Sequence, residues 1–286
     1  MAIRICGKEI SDHYKQAMKS AIDNLKGRKP GLAVIICGDN PASQVYVGHK
    51  VKDCEQTGII SYKYAFPSDV ASDEVIAQIK KLNSDTNIDG ILVQVPLPKH
   101  LDEKVILNTI APDKDVDGFG IESAGLLSLG VPRFISCTPL GIIKLLEYMN
   151  IELAGKYAVM VGRSNIVGKP MAQLLLMNNC TVTICHSKTN NIKKFTSEAD
   201  ILIAAVGKAH FITADMVKPG AVIVDVGMNR LDGRLTGDVD YDGVEKVAGY
   251  ITPVPGGVGL MTRAMLLYNT LKAYEYHESV QVPLGI

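Results

Sequence analysis

Short runs of Val, Ile and Leu alternate along this chain with amphipathic segments. GLAVIICG (31–38), SYKYAF (61–66) and DGILVQV (89–95) read as strands, and the stretches from Ser43 to about Thr57 and from Asp73 to about Leu82 read as helices. After the helical segment TPLGIIKLLEYMN, a second series runs KYAVMVG, a helix KPMAQLLLMNN, CTVTICHS, ADILIAAVG and GAVIVDVGMN. Strands that alternate with helices imply parallel sheets joined by crossovers. Several of the strands are apolar without alternation, as burial on both sheet faces requires. The pattern therefore predicts an α/β protein of two domains, each with its own parallel sheet and helices on both sides. The last helix, Thr262 to about Glu278, carries Met265, Leu266, Tyr268, Leu271 and Tyr274 on a stripe that must pack on something, and the first domain is the expected surface. Counting strands places the domains at 1–140, with 263–286 added to it, and at 141–262.

The 286-residue length agrees with two domains, and 47% hydrophobic residues suffice for a substantial core. Thirty basic and thirty acidic residues cancel without any run of one sign, so neither nucleic acid nor a membrane is expected as a partner recruited by bulk charge. Cys6, Cys37, Cys54, Cys137, Cys180 and Cys185 lie at irregular spacings with no C-x-x-C pair. That argues against a metal site and a disulfide framework. The first residues, MAIRICGKEISDHYKQ, lack the continuous apolar segment of a signal peptide, and no stretch approaches the roughly 18 apolar residues of a membrane span. A cytoplasmic location is the expectation.

Two regions carry candidate chemistry. In KYAVMVGRSNIVGKPMAQLLL a strand runs into Gly162, turns through Arg163, Ser164 and Asn165, and reaches Gly168 before an apolar helix from about Pro170. A strand, a glycine turn and a helix N-terminus can cradle a phosphate, although the spacing is not G-x-G-x-x-G and a plain tight turn is the competing reading. The following strand ends in His186, Ser187, Lys188 and Thr189 rather than the carboxylate that binds the ribose 2′-OH of NAD. Arg163 and Ser187 would suit a 2′-phosphate, so NADP is expected over NAD unless these are solvated loop residues.

In the first domain, ligands of an open α/β sheet lie beyond the carboxyl ends of the strands. Ser43 is a candidate N-cap for the helix that follows the first strand. Val47, Val51 and Cys54 form the helix's buried stripe, with Tyr46, Lys50 and Asp53 on the adjacent one. Y-x-x-x-K puts a phenol and an amine on one face. Gln94 interrupts an apolar strand just before Pro96 and needs a partner. Asp115 and Asp117 sit in the turn PDKDVDG, where aspartates mostly organise backbone. PVPGGVGLMT, with Gly256, Gly257 and Gly259, implies either backbone close to a ligand or turns needing positive φ.

YVGHK, VQVPLP, DKDVDGF, SCTPLG, GRSNIVGKP, CHSKT and PGGVGLMT together resemble, in order and approximate spacing, the bifunctional methylenetetrahydrofolate dehydrogenase/cyclohydrolase family, over essentially the whole chain. The resemblance implies a homodimer of two-domain subunits with a Rossmann-like NADP domain, a C-terminal helix returning to the first domain, and tetrahydrofolate derivatives bound in a shared cleft. Motif by motif it implies that Lys50 is the central catalytic residue, that Tyr46 orients substrate, that Gln94 hydrogen-bonds the lysine and that Asp117 holds the pterin. It assigns cofactor contacts to Gly162, Arg163, Ser164, Ser187 and Met228. Val93, Val95, Pro255, Gly256, Gly257 and Val258 would line the folate site.

Those residue types suit the chemistry. Hydride transfer from the methylene bridge yields a resonance-stabilised methenyl cation and needs orientation more than acid or base. Hydrolysis of that cation to 10-formyltetrahydrofolate needs protons moved. An amine beside a cation sheds its proton more readily, and a lysine there can shuttle protons near neutral pH. Three positions depart from the family pattern: Leu260 stands where PGGVGPMT has proline, Met228 replaces a common isoleucine, and Ser136 replaces the proline before CTP. Leu260 bears on the rigidity of the glycine loop. Short-chain dehydrogenases share Y-x-x-x-K, but there the pair follows the dinucleotide turn, whereas Tyr46 precedes Gly162. A shikimate-type or amino-acid dehydrogenase would not explain PGGVG or VQVPLP. A non-catalytic binding module would not explain Lys50 and Asp117.

Overall fold

The computed structural model describes residues 1–286, apart from the side chain of Ala42. In chain order the elements of the first half are β1 (Ile3–Arg4), α1 (Gly7–Asp23), β2 (Gly31–Cys37), α2 (Pro41–Thr57), β3 (Ile60–Phe66), α3 (Ser72–Asn83), β4 (Gly90–Val93), α4 (Glu103–Leu107), α5 (Ile121–Ser128) and α6 (Cys137–Tyr148). The second half adds β5 (Tyr157–Val161), α7 (Gly168–Met177), β6 (Thr181–Cys185), α8 (Lys193–Thr196), β7 (Ile201–Ala204) and β8 (Val222–Asp225). It ends with β9 (Asn229–Leu231), β10 (Arg234–Thr236), α9 (Tyr241–Val244), β11 (Tyr250–Ile251) and α10 (Val258–Glu278).

The chain divides into two compact units, one of Asp12–Cys137 with Arg263–Ile286 and one of Met1–Ser11 with Thr138–Thr262. The first eleven residues thus group with the later segment, whereas strand counting assigned them to the earlier one. The physical reason is β1, a two-residue strand too short to show a period, which adds in parallel to β11 through Ile3–Tyr250 and Arg4–Ile251.

The unit built on residues 12–137 carries a three-stranded parallel sheet ordered β3-β2-β4. All seven residues of central β2 are buried, which explains its continuous apolar sequence. One face of the sheet packs on α3 through Ala33, Ile35, Ile91 and Val93 against Val75, Ile79 and Leu82. Helix α10 is anchored to the same unit by polar bonds. Asn269 donates to the carbonyls of Val116 (2.8 Å) and Ile135 (2.9 Å), and the Tyr274 hydroxyl donates to Arg28 O (3.2 Å). His277 lies between Asp89 and Asp113. The expected apolar stripe of this helix is in fact broader, since Ala264, Leu267 and Ala273 are buried beside Met265, Leu266 and Leu271.

The other unit carries a six-stranded parallel sheet ordered β1-β11-β8-β7-β5-β6, and β9 and β10 form a separate antiparallel hairpin. Its core is made of Val159, Val161, Leu202, Ala204, Ile223 and Ile251. From β5 the sheet grows one way to β6 and the other way to β7 and β8. This Rossmann-like reversal of direction puts the topological switch point between β5 and β7.

Candidate functional site

In the β3-β2-β4 sheet the reversal of strand order falls between β2 and β4, so their carboxyl ends are where a ligand site is expected. Helix α2 leaves the end of β2 there. It starts at Pro41, and the Asn40 side chain caps it by accepting from Ser43 N at 3.2 Å. Ser43, the cap expected from sequence, lies inside the helix and is buried. Two turns on, the half-buried Lys50 donates from Nζ to Gln94 Oε1 at 3.0 Å. Gln94 does not interrupt a strand as read from sequence. It is the first residue past β4, still tied to the ladder by its N–H to Ile35 O (2.8 Å), and its amide nitrogen donates to Val95 O (2.7 Å). The partner that Gln94 required is therefore the lysine, held from a second element. Val93 and Val95 flank it, the first buried and the second half-buried.

Tyr46 is half-buried one turn before Lys50 on α2. Asp53, on the same stripe by helical spacing, is buried at 4% exposure and paired with Arg263 (2.9 Å) and Lys15 (3.5 Å). It anchors α2 to its neighbours.

Asp117 belongs to the same cluster. Burial raises its carboxyl above the ordinary range, the positive charge of Lys50 draws it down, and the charge of Asp115 pushes it up again. The Cys137 thiol stands between this carboxyl and Val116 O (3.3 Å), with one proton to serve two acceptors. Burial, then the nearby Asp117 charge, pushes that thiol well above its usual pKa, so it acts as a neutral donor. The two aspartates of the turn divide the work. Asp115 organises backbone, accepting from Phe119 N (3.2 Å), Gly120 N (2.9 Å) and Ser123 Oγ (2.6 Å), which leaves Asp117 facing Lys50. Cys137 and Asn269 hold the Val116–Asp117 segment and were missed in the sequence. The only signal for them was a lone Asn in an apolar helix and a Cys in SCTPLG, where Ser136 is also buried.

In the other unit, β5 ends in Gly162, whose φ is +136° and whose would-be Cβ points into the carbonyl of Ala205 at the end of β7. Only glycine lets the turn close against β7 in this way. Arg163, Ser164 and Asn165 follow as exposed residues. Two of the first N–H groups of α7 are not open to a ligand as expected, because Ser164 Oγ accepts from Val167 N and Gly168 N, both at 3.2 Å. What the turn offers is the Ser164 hydroxyl proton, the Arg163 guanidinium and the positive end of a ten-residue helix. Beyond β6, His186 accepts from Lys188 N (3.2 Å) and Thr189 Oγ1 accepts from His186 N (2.9 Å). This tight turn exposes Ser187 and Lys188 and contains no carboxylate. These donors fit an anionic dinucleotide. Met228, half-exposed, follows Gly227 just beyond β8.

The glycine loop belongs to this unit too. Gly256 has φ +103°, and the would-be Cβ of Gly257 has no room against Pro253 O. Pro255 is exposed, Val258 is buried as the first residue of α10, and Leu260 lies in the helix's first turn with its N–H on Gly257 O (3.3 Å). The loop thus uses Gly257 for close backbone packing and Gly256 for a positive φ, while Gly259 meets neither need.

One unit with a parallel sheet and a glycine turn at its switch point, and another that gathers an amine, an amide and a buried carboxyl, define an α/β oxidoreductase of the dinucleotide-binding class. Comparison with known proteins narrows this. Residues 5–117 match the catalytic domain, and residues 136–278 the NAD(P)-binding domain, of tetrahydrofolate dehydrogenase/cyclohydrolase. The bifunctional protein FolD of Polaromonas naphthalenivorans is 56% identical over 260 residues, covering 91% of this chain and 92% of that protein. The crystal structure of the FolD methylenetetrahydrofolate dehydrogenase/cyclohydrolase of Campylobacter jejuni superposes with a TM-score of 0.95 at 48% identity, covering 96% of this chain and 99% of the other. The corresponding Trypanosoma brucei enzyme, complexed with NADP and an inhibitor, gives a TM-score of 0.92 at 34% identity, covering 96% and 98%. The chain belongs to the tetrahydrofolate dehydrogenase/cyclohydrolase family. It is a bifunctional enzyme of one-carbon folate metabolism, which oxidises 5,10-methylenetetrahydrofolate and hydrolyses the methenyl product to 10-formyltetrahydrofolate.

Proposed function

We propose that Lys50 is the proton carrier of the hydrolytic step, with Gln94 and Asp117 setting its position and charge environment. The observation that carries this is the Lys50–Gln94 hydrogen bond at the carboxyl end of β4, with Asp117 in electrostatic contact with the same amine. NADP, when bound, would supply the acceptor for the hydride of the methylene bridge. Tyr46, Val93, Val95, Asp117 and the loop Pro255–Val258 hold the folate for that transfer. Water then adds to the methenyl carbon of the cationic product. The Lys50 amine takes a proton from that water and returns one to the ring nitrogen as the carbon–nitrogen bond opens, with the surplus proton released. The neutral amide of Gln94 accepts from the amine without fixing a counter-charge on it, which suits a group that must cycle between its two forms.

NADP is the preferred cofactor in this reading, held by Gly162, Arg163, Ser164, Ser187 and Met228. The exposed Arg163 and Ser187, and a turn after β6 that lacks a carboxylate, support it. The unit of Thr138–Thr262 with Met1–Ser11 would then be the cofactor domain, and that of Asp12–Cys137 with Arg263–Ile286 the folate domain. A homodimer, implied by the family resemblance, is tested by sedimentation. Among the described residues no helix is long and apolar enough to cross a membrane. All six cysteines are free, which supports a reducing, cytoplasmic setting. The test of the assignment is methylenetetrahydrofolate oxidation with NADP and NAD, followed by decay of the methenyl absorbance. Turnover in both steps with NADP ahead of NAD is expected, and equal efficiency with NAD overturns the cofactor choice.

A further inference from the structure

The fully buried Asp238 makes a set of bonds that neither the reaction nor the glycine turn requires. Its carboxylate accepts from three consecutive backbone N–H groups at the end of β7: Val206 (2.6 Å) and Gly207 (3.0 Å) on Oδ2, and Lys208 (2.9 Å) on Oδ1. A fourth donor, Asn229 Nδ2, reaches Oδ1 at 2.8 Å. Successive N–H groups that converge in this way form an anion-binding nest, and here the chain fills the nest with its own carboxylate. Asp238 is itself fixed from below. Asp225, the last residue of β8, accepts from Gly227 N, Asp238 N (both 2.9 Å) and Val239 N (3.0 Å), and its own N–H donates to Thr252 Oγ1 (2.8 Å).

The loop so held sits at the switch point. Ala205, which precedes it, bonds through N–H to Val161 O (2.8 Å), and its carbonyl is the atom against which Gly162 closes. We propose that Asp238 is a positioning residue for the dinucleotide site. By clamping the 206–208 loop against the Gly162 turn, it fixes one wall of the cofactor pocket without touching the cofactor. The inference rests on the reading that Gly162 and Arg163 form that pocket. Both carboxylate oxygens face only donors, so the isosteric Asp238→Asn must turn its NH₂ toward N–H groups on one side or the other. The loop must then shift, and small misplacements of a binding wall are costly.

The experiment is calorimetric titration of NADP, without folate, into the whole enzyme and its Asp238→Asn and Arg163→Ala variants, alongside hydrolysis of methenyltetrahydrofolate, which needs no cofactor. Asp238→Asn is expected to weaken NADP binding about tenfold, the equivalent of one lost charge-assisted hydrogen bond, with the methenyl hydrolysis rate unchanged. A wild-type Kd for NADP overturns the proposal, and so does a parallel loss of methenyl hydrolysis, which marks a general structural role. Arg163→Ala decides the underlying reading separately, because an unchanged Kd there removes the Gly162 turn as the pocket whatever Asp238 does. If Asp238→Asn does not fold, Asn229→Ala, which removes one donor of four, takes its place. A rise of about threefold in Kd is then expected, and no rise overturns the proposal.

Discussion

Lys50 Nζ and Gln94 Oε1, 3.0 Å apart, join two elements that chain order separates by 44 residues, and the bond fixes a flexible amine at the carboxyl ends of β2 and β4. The neutrality of the acceptor matters as much as its distance. Gln94→Glu would replace the amide with a carboxylate, tying the amine into an ion pair that favours its charged form. Hydrolysis of methenyltetrahydrofolate is expected to fall by about two orders of magnitude, within the range of general acid–base contributions. The rate of absorbance decay checks this, and a wild-type rate would show that the lysine does not cycle its proton.

The charge of Lys50 also acts on Asp117, which burial raises and the amine lowers. Removal of the amine in Lys50→Met should therefore move the Asp117 titration further up. A carboxyl whose folded pKa exceeds its unfolded value, about 3.9, stabilises the fold most fully below that value. The contribution is lost as pH rises through the folded pKa. Carbon-detected NMR of the Asp117 carboxyl in wild type and variant reads this directly. A midpoint at the ordinary value, or one that falls in Lys50→Met, contradicts the cluster.

Asn269 satisfies two buried carbonyls, Val116 O and Ile135 O, from the middle of α10. Asn269→Leu leaves Ile135 O without this donor and Val116 O with only the Cys137 thiol, so a loss of about 1–3 kcal/mol, the cost of one orphaned buried group, is expected. Urea unfolding measures it. Because Val116 adjoins Asp117, the KM for methylenetetrahydrofolate should rise in the same variant while the Kd for NADP holds.

Much of this was legible in advance where the signal was local. Strands β2 and β5, helices α2, α3 and α6 and the glycine turn at 162 follow from period and glycine placement, whereas the short α4 and α5 show no such period. Lys50 was visible as half of a helical pair, but its true partner, Gln94, lies on another element and only the fold brings it near. Ser43 looked like a cap because it precedes the apolar stripe, yet Asn40 with Pro41 starts the helix earlier. Asp53 follows the spacing of an exposed face and is buried by Arg263, a residue 210 positions on that no local pattern couples to it. The β9–β10 hairpin turns through Asp232 and Gly233, both with positive φ, a D-G signal present in the sequence and not used. Asp238 lay beyond sequence reasoning, since its role depends on three backbone groups about 30 residues away.

Cofactor choice has its own test at Ser187, exposed just beyond β6. Ser187→Asp places a negative charge where a 2′-phosphate is proposed to bind. The KM for NADP should rise by about tenfold or more, while that for NAD changes much less. Steady-state kinetics with both cofactors reads the difference. An equal change for both cofactors would place the 2′-phosphate elsewhere.

The central claim concerns Lys50 itself, and Lys50→Met, which keeps the side chain's length and removes only its chemistry, tests it most directly. Decay of the methenyl absorbance in that variant, with NADP binding measured on the same preparation, is the decisive measurement. The account predicts that enzymatic hydrolysis is lost while the Kd for NADP stays at the wild-type value; undiminished hydrolysis would contradict it.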